Sequence, residues 1–286
     1  MLLVAYSSSQ KTHWLLQIEA SDFIEFRTKG INPFYNQEKE IIKTISSAEA
    51  IRAYTEQIRE VHFYGAGCSN PDRREVVSNA LSFVFKNAFV NVENDMLGAA
   101  HAVCGKRPGL ICLLGTGSNA ALFNGREITM ERHGIGYILG DEASGTYFGK
   151  RLITDFLYGN MPVKLHKAFA EAYRLDKAAV VNHVYKKGSP NLYIASFSIF
   201  MGRHKFHPYI KGILLEGFEQ FIDTHITAFS HYQQYPCHFI GSIAYYFSEA
   251  LQEICFKKGI RMGKILAQPV RDLADFIIEQ EGLLKE

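Results

Sequence analysis

The sequence predicts an α/β protein built from two successive mixed-sheet domains. Three strand-like segments open the chain back to back, helix and strand patterns then alternate, and a second strand–turn–strand start follows Arg107-Pro108. Residues 2–5 form a short apolar run that ends in Ser7-Ser8-Ser9, and residues 13–18 make a second strand. Residues 22–28 alternate. Phe23, Glu25 and Arg27 share one side, and Ile24, Phe26 and Thr28 share the other.

Residues 37–60 read as one helix, since Ile41, Ile45, Ala48, Ile51, Tyr54 and Ile58 recur every three or four positions. A strand at 61–64 closes on Gly65-Ala66-Gly67. Asn70-Pro71 then starts a helix with a capping side chain and a proline in the first turn. Residues 89–92 are a strand, with Asp95 just beyond it at the start of a helix over 96–104. Three meandering strands followed by alternating helices and strands form the ribonuclease H-like pattern. It restarts with a strand at 109–114, the turn Gly115-Thr116-Gly117-Ser118 and a strand at 120–124. Helices are expected over 144–158, 163–173, 212–232, 244–256 and 270–280, with a late strand at 237–240 ending in Gly241-Ser242. The expected domains are therefore residues 1–107 and 108–286, sharing a cleft.

Composition narrows the function. The chain has 286 residues, 47% hydrophobic and 21% charged, and its 31 basic and 29 acidic residues leave a formal charge of +2. That near-balance gives no electrostatic case for a nucleic-acid or membrane-surface partner. Cys68, Cys104, Cys112, Cys237 and Cys255 are odd in number, irregularly spaced and free of any CxxC pair, so neither a disulfide framework nor a zinc site is expected. The eleven histidines, including His204, His207, His225 and His231, show no ligand-helix spacing, and no metal-binding residue is assigned. The first residues do not read as a signal peptide, and residues 192–201 are too short to span a bilayer. The cytoplasm is the expected compartment.

Several segments have alternative uses on their chemistry alone. Gly115 to Ser118 is either a phosphate cradle or a plain hairpin turn. Ser7 to Thr12 is either a second phosphate loop or a polar hairpin without glycine. Asp95 is either a general base at the strand edge where ligands bind or an ordinary helix cap. Asp141 and Glu142 either complement a helix dipole or hold sugar hydroxyls. Asn32-Pro33 is a turn.

Taken in order, the segments Val4 to Thr12, Thr28 to Phe34, Phe63 to Cys68, Asn94 to Ala100, Leu114 to Asn119 and Gly136 to Glu142 resemble the N-acetylglucosamine kinase-like branch of the BadF/BadG-type ATPase family. That branch lies within the actin-like and sugar kinase superfamily. The resemblance runs from Met1 to about Pro269. It implies an ATP-dependent phosphotransferase acting on a hydroxyl of N-acetylglucosamine or a related amino sugar, with Mg²⁺ assisting. By resemblance, Asp95 is the general base. Ser9, Lys11, Thr12, Gly115, Thr116, Gly117, Ser118, Gly241, Ser242 and Ala244 contact the nucleotide, and Asn32, Gly65, Ala66, Asp95 and Asp141 hold the sugar. The partners implied are the amino sugar and ATP, and the oligomeric state, a homodimer included, stays open.

The chain departs from the family pattern where Mg²⁺ is handled. Tyr6 stands in place of an Asp, Ser8 in place of a Gly, Gln10 in place of a Thr, and Ala143 in place of a Gly. Losing the carboxylate weakens charge neutralisation during phosphoryl transfer. Ser8 is expected to cost on the order of 1 kcal/mol if its position needs positive φ, and Ala143 to be the milder change. A binding-only sugar or nucleotide sensor is the alternative. The iron–sulfur activators found elsewhere in the BadF/BadG family need cluster-bridging cysteines, which the spacing of Cys68, Cys104 and Cys112 does not provide.

Overall fold

A computed structural model describes residues 1–19, 22–132 and 134–284. The first half runs β1 (Leu2–Ser7), β2 (Lys11–Glu19), β3 (Asp22–Lys29), α1 (Glu38–Ser46), α2 (Glu49–Arg52), β4 (Glu60–Gly65), α3 (Pro71–Val84), β5 (Phe89–Asn94) and α4 (Asp95–Cys104). The second strand set opens with β6 (Gly109–Leu114), β7 (Ser118–Phe123) and β8 (Ile128–Arg132). The helices α5 (Gly136–Leu139), α6 (Gly145–Leu157), α7 (Val163–Tyr173), α8 (Lys177–Tyr185), α9 (Pro190–Ser196), α10 (Ser198–Arg203) and α11 (Pro208–Phe221) come next. The chain finishes with β9 (Cys237–Ile240), α12 (Ser242–Tyr246), α13 (Ser248–Lys257), β10 (Met262–Leu266) and α14 (Val270–Leu284).

Two compact units result, one from Met1–Arg107, Asn124–Ile128 and Gln268–Glu286, the other from Pro108–Phe123 and Thr129–Ala267. Each holds a five-stranded sheet, ordered β3-β2-β1-β4-β5 in the first and β8-β7-β6-β9-β10 in the second. In both, the unit's first strand is central, its second and third lie to one side, and its fourth and fifth to the other. β1 pairs antiparallel with β2 and parallel with β4, and β4 pairs parallel with β5. Correspondingly, β6 pairs antiparallel with β7 and parallel with β9, and β9 pairs parallel with β10. The expected pair of mixed-sheet α/β domains is what the chain builds.

The first core centres on Trp14, which stacks on Phe26 at 5.7 Å, leans on Phe63 at 6.0 Å and donates from Nε1 to Thr28 Oγ1 at 2.9 Å. The second gathers Phe148, Phe169, Phe218, Phe221 and Phe239, all fully buried. No helix among the described residues is long and apolar enough to cross a membrane.

Several boundaries differ from the periodicity reading. The expected helix over 37–60 breaks into α1 and α2, because Ser47 caps the first and Ala48 turns extended before the second. The stretch 212–232 is α11, then a π-helical turn over Ile222–Ile226, then a short 3₁₀ turn at Tyr232–Gln234. The stretch 244–256 divides between α12 and α13. β8 and β10 are half-exposed, and their weak apolar signal leaves no alternation to read.

A second domain over 108–286 does not describe α14. That helix packs on α4, β1 and β2 of the first unit, burying Val270, Leu273, Ala274 and Ile277. Phe276 stacks on His101 at 4.5 Å, and Arg271 sits 4.0 Å above the Phe23 ring. Leu273→Ala should cost about 2–5 kcal/mol, the range for emptying a buried leucine site. Hydrogen exchange should then rise in β1, β2 and α4. A rise confined to β6 and β9 would refute this assignment of α14.

Candidate functional site

In the first unit, the predicted sugar-side residues meet where three strands end. Ser7 pairs with Gly65, and Gly65 pairs with Asn94, so the carboxyl ends of β1, β4 and β5 form one row. Ligands bind at this edge of an open α/β sheet. Asn94, not Asp95, is the N-cap of α4, its side chain accepting from Leu97 N at 2.7 Å. Asp95 is the first helical residue and half-buried, with Oδ1 accepting from Met96 N at 3.0 Å. α4 holds it by lying close on β4: a Cβ at Gly98 would come within 2.7 Å of the Tyr64 side chain.

Asn32 is buried, and its carboxamide ties two loops together. Nδ2 donates to Ser9 Oγ at 3.1 Å, Oδ1 accepts from Phe34 N at 2.9 Å, and a Cβ at Gly67 would lie 2.1 Å from Oδ1. Gly67 has a φ of 83°, so its turn requires glycine on both counts. Ala66 N donates to Ser7 O at 2.9 Å, which seats the Gly65–Gly67 turn on the first loop.

The first loop is self-contained. Ser7 Oγ lies 2.7 Å from Thr12 Oγ1 and donates to Ile31 O at 2.9 Å, while Ile31 N donates back to both hydroxyls. Thr12 is fully buried and braces the loop, its Oγ1 donating to Lys29 O at 3.2 Å. Ser8 Oγ donates to Lys11 O at 3.1 Å and accepts from Gln10 N at 3.3 Å and Lys11 N at 3.2 Å. These are amides that a phosphate loop would otherwise present. Lys11 is exposed at the end of the loop.

Tyr6 is buried. Burial first, and then the nearby Asp95 carboxylate, push its phenol well above the ordinary tyrosine range. The Cys68 thiol is pushed to about 12, mainly by burial with Asp95 adding to it. Tyr6, Cys68 and Asp95 thus share one pocket of field. A buried, protonated phenol is no ligand for a hard cation. The first loop therefore does not fit Mg²⁺, and no cluster of three His, Cys, Asp or Glu side chains suited to a metal occurs among the described residues.

In the second unit, the Gly115–Ser118 turn follows β6 and the Gly241–Ser242 turn follows β9. The two touch, since a Cβ at Gly241 would lie 2.3 Å from Leu114 O and 3.2 Å from Gly115 N. Gly241 has a φ of 121°. Ser242, Ile243 and Ala244 start α12, with Ala244 buried. Asp141, which the resemblance implies holds the sugar together with Asn32 and Asp95, is carried by this unit. Its Oδ1 accepts from Ser118 N at 3.3 Å, and a Cβ at Gly117 would sit 2.9 Å from its carboxylate. Burial raises the Asp141 pKa, and the Ser118 N–H and the Lys150 charge offset part of the rise. Ser118 Oγ is buried without a hydrogen-bond partner among the described residues.

Two readings of the sequence change here. Ser8 does not carry the backbone strain expected of it, whereas Asp141 and Ala143 do, at φ of 60° and 54°. A pair that sequence reasoning missed stands between them in the loop: Glu142 Oε2 is 2.8 Å from Nε2 of the buried His225. His225 lies 83 positions from its partner, beyond the reach of any local pattern. The only sequence trace is the acidic residue after Asp141.

No protein-family profile and no curated protein sequence matches this chain. Solved structures do. A Porphyromonas gingivalis protein described as a "putative N-acetylglucosamine kinase" is 36% identical, with a TM-score of 0.92 over 98% of this chain and 100% of that one. A protein of the same description from Chromobacterium violaceum shares the fold, at 17% identity and TM-score 0.66 over 96% of this chain and 98% of that one. A ROK family glucokinase from Streptomyces griseus, solved with glucose and AMPPNP, shares it at 14% identity and TM-score 0.54 over 96% and 98%.

The two altered glycine positions should respond differently to reversal. Ser8→Gly should lower stability by about 1 kcal/mol, losing its turn bonds and stiffening nothing. Ala143→Gly should stay within about 1 kcal/mol of the parent, because relief of roughly 1–2 kcal/mol of left-handed strain offsets the lost methyl. Thermal denaturation decides. A Ser8→Gly protein more stable than the parent would refute this account of the loop.

Proposed function

This chain belongs to the N-acetylglucosamine kinase-like family of the actin-like ATPase and sugar kinase superfamily, and from that premise we propose that it transfers the γ-phosphate of ATP to a hydroxyl of N-acetylglucosamine or a related amino sugar. The observation that carries this reading is the setting of Asp95. It opens α4 at the carboxyl edge of β1, β4 and β5, and Asn94 relieves it of capping. Its carboxylate takes the proton from the sugar hydroxyl as that oxygen attacks the γ-phosphorus. The bond from phosphorus to the bridging oxygen breaks, and ADP leaves.

Asn32 and the Gly65–Ala66 backbone hold the sugar on the first unit. On the second, the Gly115–Ser118 amides cradle phosphate, and the turn from Gly241 to Ala244 contacts the nucleoside. Asp141 faces this phosphate loop through Ser118 and Gly117, and in our reading it also reaches a sugar hydroxyl. Nucleotide binding draws further support from the AMPPNP complex of the Streptomyces griseus glucokinase, which has the same fold.

Two observations favour a second reading, binding without turnover. Tyr6 provides no carboxylate, and Ser8 Oγ occupies the amides of Gln10 and Lys11. Coupled ADP release with Mg·ATP across a panel of amino sugars, run beside calorimetry with the same sugars, separates the two. Turnover is expected with N-acetylglucosamine or a close relative. Asp95→Asn should lower kcat by about 10²–10⁴-fold, the span of general-base catalysis, while sugar affinity changes little. Sugar binding without ADP release selects the sensor reading. Absence of both sugar binding and turnover would sink the family-based proposal altogether.

A further inference from the structure

The Gly115–Ser118 turn is stitched along its length to the segment 141–146. Ser118 N donates to Asp141 Oδ1 at 3.3 Å, Gly145 N to Gly115 O at 2.8 Å and Thr146 N to Thr116 O at 3.1 Å. Ser144 caps α6 by accepting from Tyr147 N at 3.1 Å, and its Oγ lies 2.8 Å from Thr146 Oγ1. This segment is also strained. Asp141 and Ala143 are both non-glycine residues in the left-handed region, separated by a single residue. Left-handed residues of this kind persist only where the surroundings over-determine them. Asp141 is held by Ser118 N, and Ala143 has only a methyl group. Glu142, between them, supplies the remaining anchor, and that anchor is His225.

His225 comes from an irregular element. α11 continues into the π-helical turn over Ile222–Ile226, whose bulge rotates the following residues relative to an ordinary helix. Here the turn buries the imidazole against Phe221 at 4.9 Å and points Nε2 at Glu142 Oε2, 2.8 Å away, with both side chains largely excluded from water. A buried charge-assisted contact of this kind loses far more on removal of one partner than an exposed ion pair does. The more exposed pairs made by the same segment, Lys258–Asp223 and Lys258–Glu219, are of the weaker kind.

We propose that Glu142 and His225 form a positioning pair: the π-turn presents His225 to pin Glu142, which holds the left-handed 141–143 turn, keeps the Asp141 carboxylate on Ser118 N, and so keeps the Gly115–Ser118 amides set for nucleotide phosphates. The pair touches no substrate. It acts through the loop it fixes, and its value for nucleotide binding rests on the kinase-family reading above.

The test compares the parent with His225→Ala, Glu142→Ala, the double variant and His225→Gln, whose amide nitrogen can replace Nε2. The first readout is amide hydrogen exchange in the unliganded protein. His225→Ala should raise exchange at Ser118, Gly145 and Thr146 by at least about tenfold while β6 and β9 keep their protection, and His225→Gln should restore it. Glu142→Ala should give the same pattern, and the double variant should add nothing further, as coupled residues do. If His225→Ala does not fold, Glu142→Ala decides alone, because Glu142 is the less buried partner and lies outside the hydrophobic core.

The second readout is calorimetry with AMPPNP and, separately, with N-acetylglucosamine. Nucleotide affinity should fall about tenfold or more in both alanine variants, with a smaller fall in sugar affinity, since Asn32 and Asp95 lie outside this loop, and with His225→Gln near the parent. Unchanged exchange at the three amides in the alanine variants overturns the proposal, as does equal loss of sugar and nucleotide binding. A parent protein that binds no AMPPNP would instead count against the kinase reading, and the exchange data would still judge the pair.

Discussion

Parallel pairing imposes the constraint from which the first half-site follows. When β1 pairs in parallel with β4 and β4 with β5, each strand must leave the sheet at the same edge, and each return needs a crossover. Ser7, Gly65 and Asn94 therefore fall in one row, and whatever follows them in sequence is gathered there. The first loop, the glycine turn and Asp95 are sequence neighbours of that row. The second unit repeats the strand order, so the ends of β6 and β9 collect their own glycine turns in the same way. The residues named as functional sit at strand ends, on the connections that follow them, or in the first turns of the next elements.

What could be read in advance tracks how local the physics is. The meander of β1 to β3 was legible because Phe23 to Thr28 alternates and Leu2 to Ala5 is wholly apolar. Asp95 was legible as a strand-end carboxylate, although Asn94 turned out to own the cap. The break at Ser47 was not legible, because Ile45, Ala48 and Ile51 keep helical spacing straight through it. β10 was missed because a half-exposed edge strand beside β9 needs few apolar side chains. Most instructive are the two replaced glycines. Ser8 and Ala143 both looked like substitutions at glycine positions, yet only a backbone angle could say which of them was strained. The Glu142–His225 contact joins distant parts of the chain and left no pattern to find.

The chemistry of the first loop follows from what Tyr6 replaces. A carboxylate at that position would stand in the same field as Asp95 and would need a cation to offset the repulsion. The phenol stays protonated there, and Asp95 itself helps to keep it so. Removing one negative charge from a buried pair lessens the demand for a counterion. Ser8 completes the change by closing the loop on its own amides. The loop is thus a coherent neutral structure rather than a decayed anionic one, with Asn32 and Thr12 bracing it from behind.

The return of α14 to the first unit has a consequence for biosynthesis. The chain emerges from the ribosome amino end first, so β1, β2 and α4 are made early, but the helix that covers them is made only after the whole second unit. The intervening unit, from Pro108 to Ala267, is complete before then and can fold on its own schedule. The half that is translated first is therefore the half that matures last. Until α14 emerges, an apolar face spanning β1 and β2 stays open to solvent, and that interval is when a chaperone would find this nascent chain.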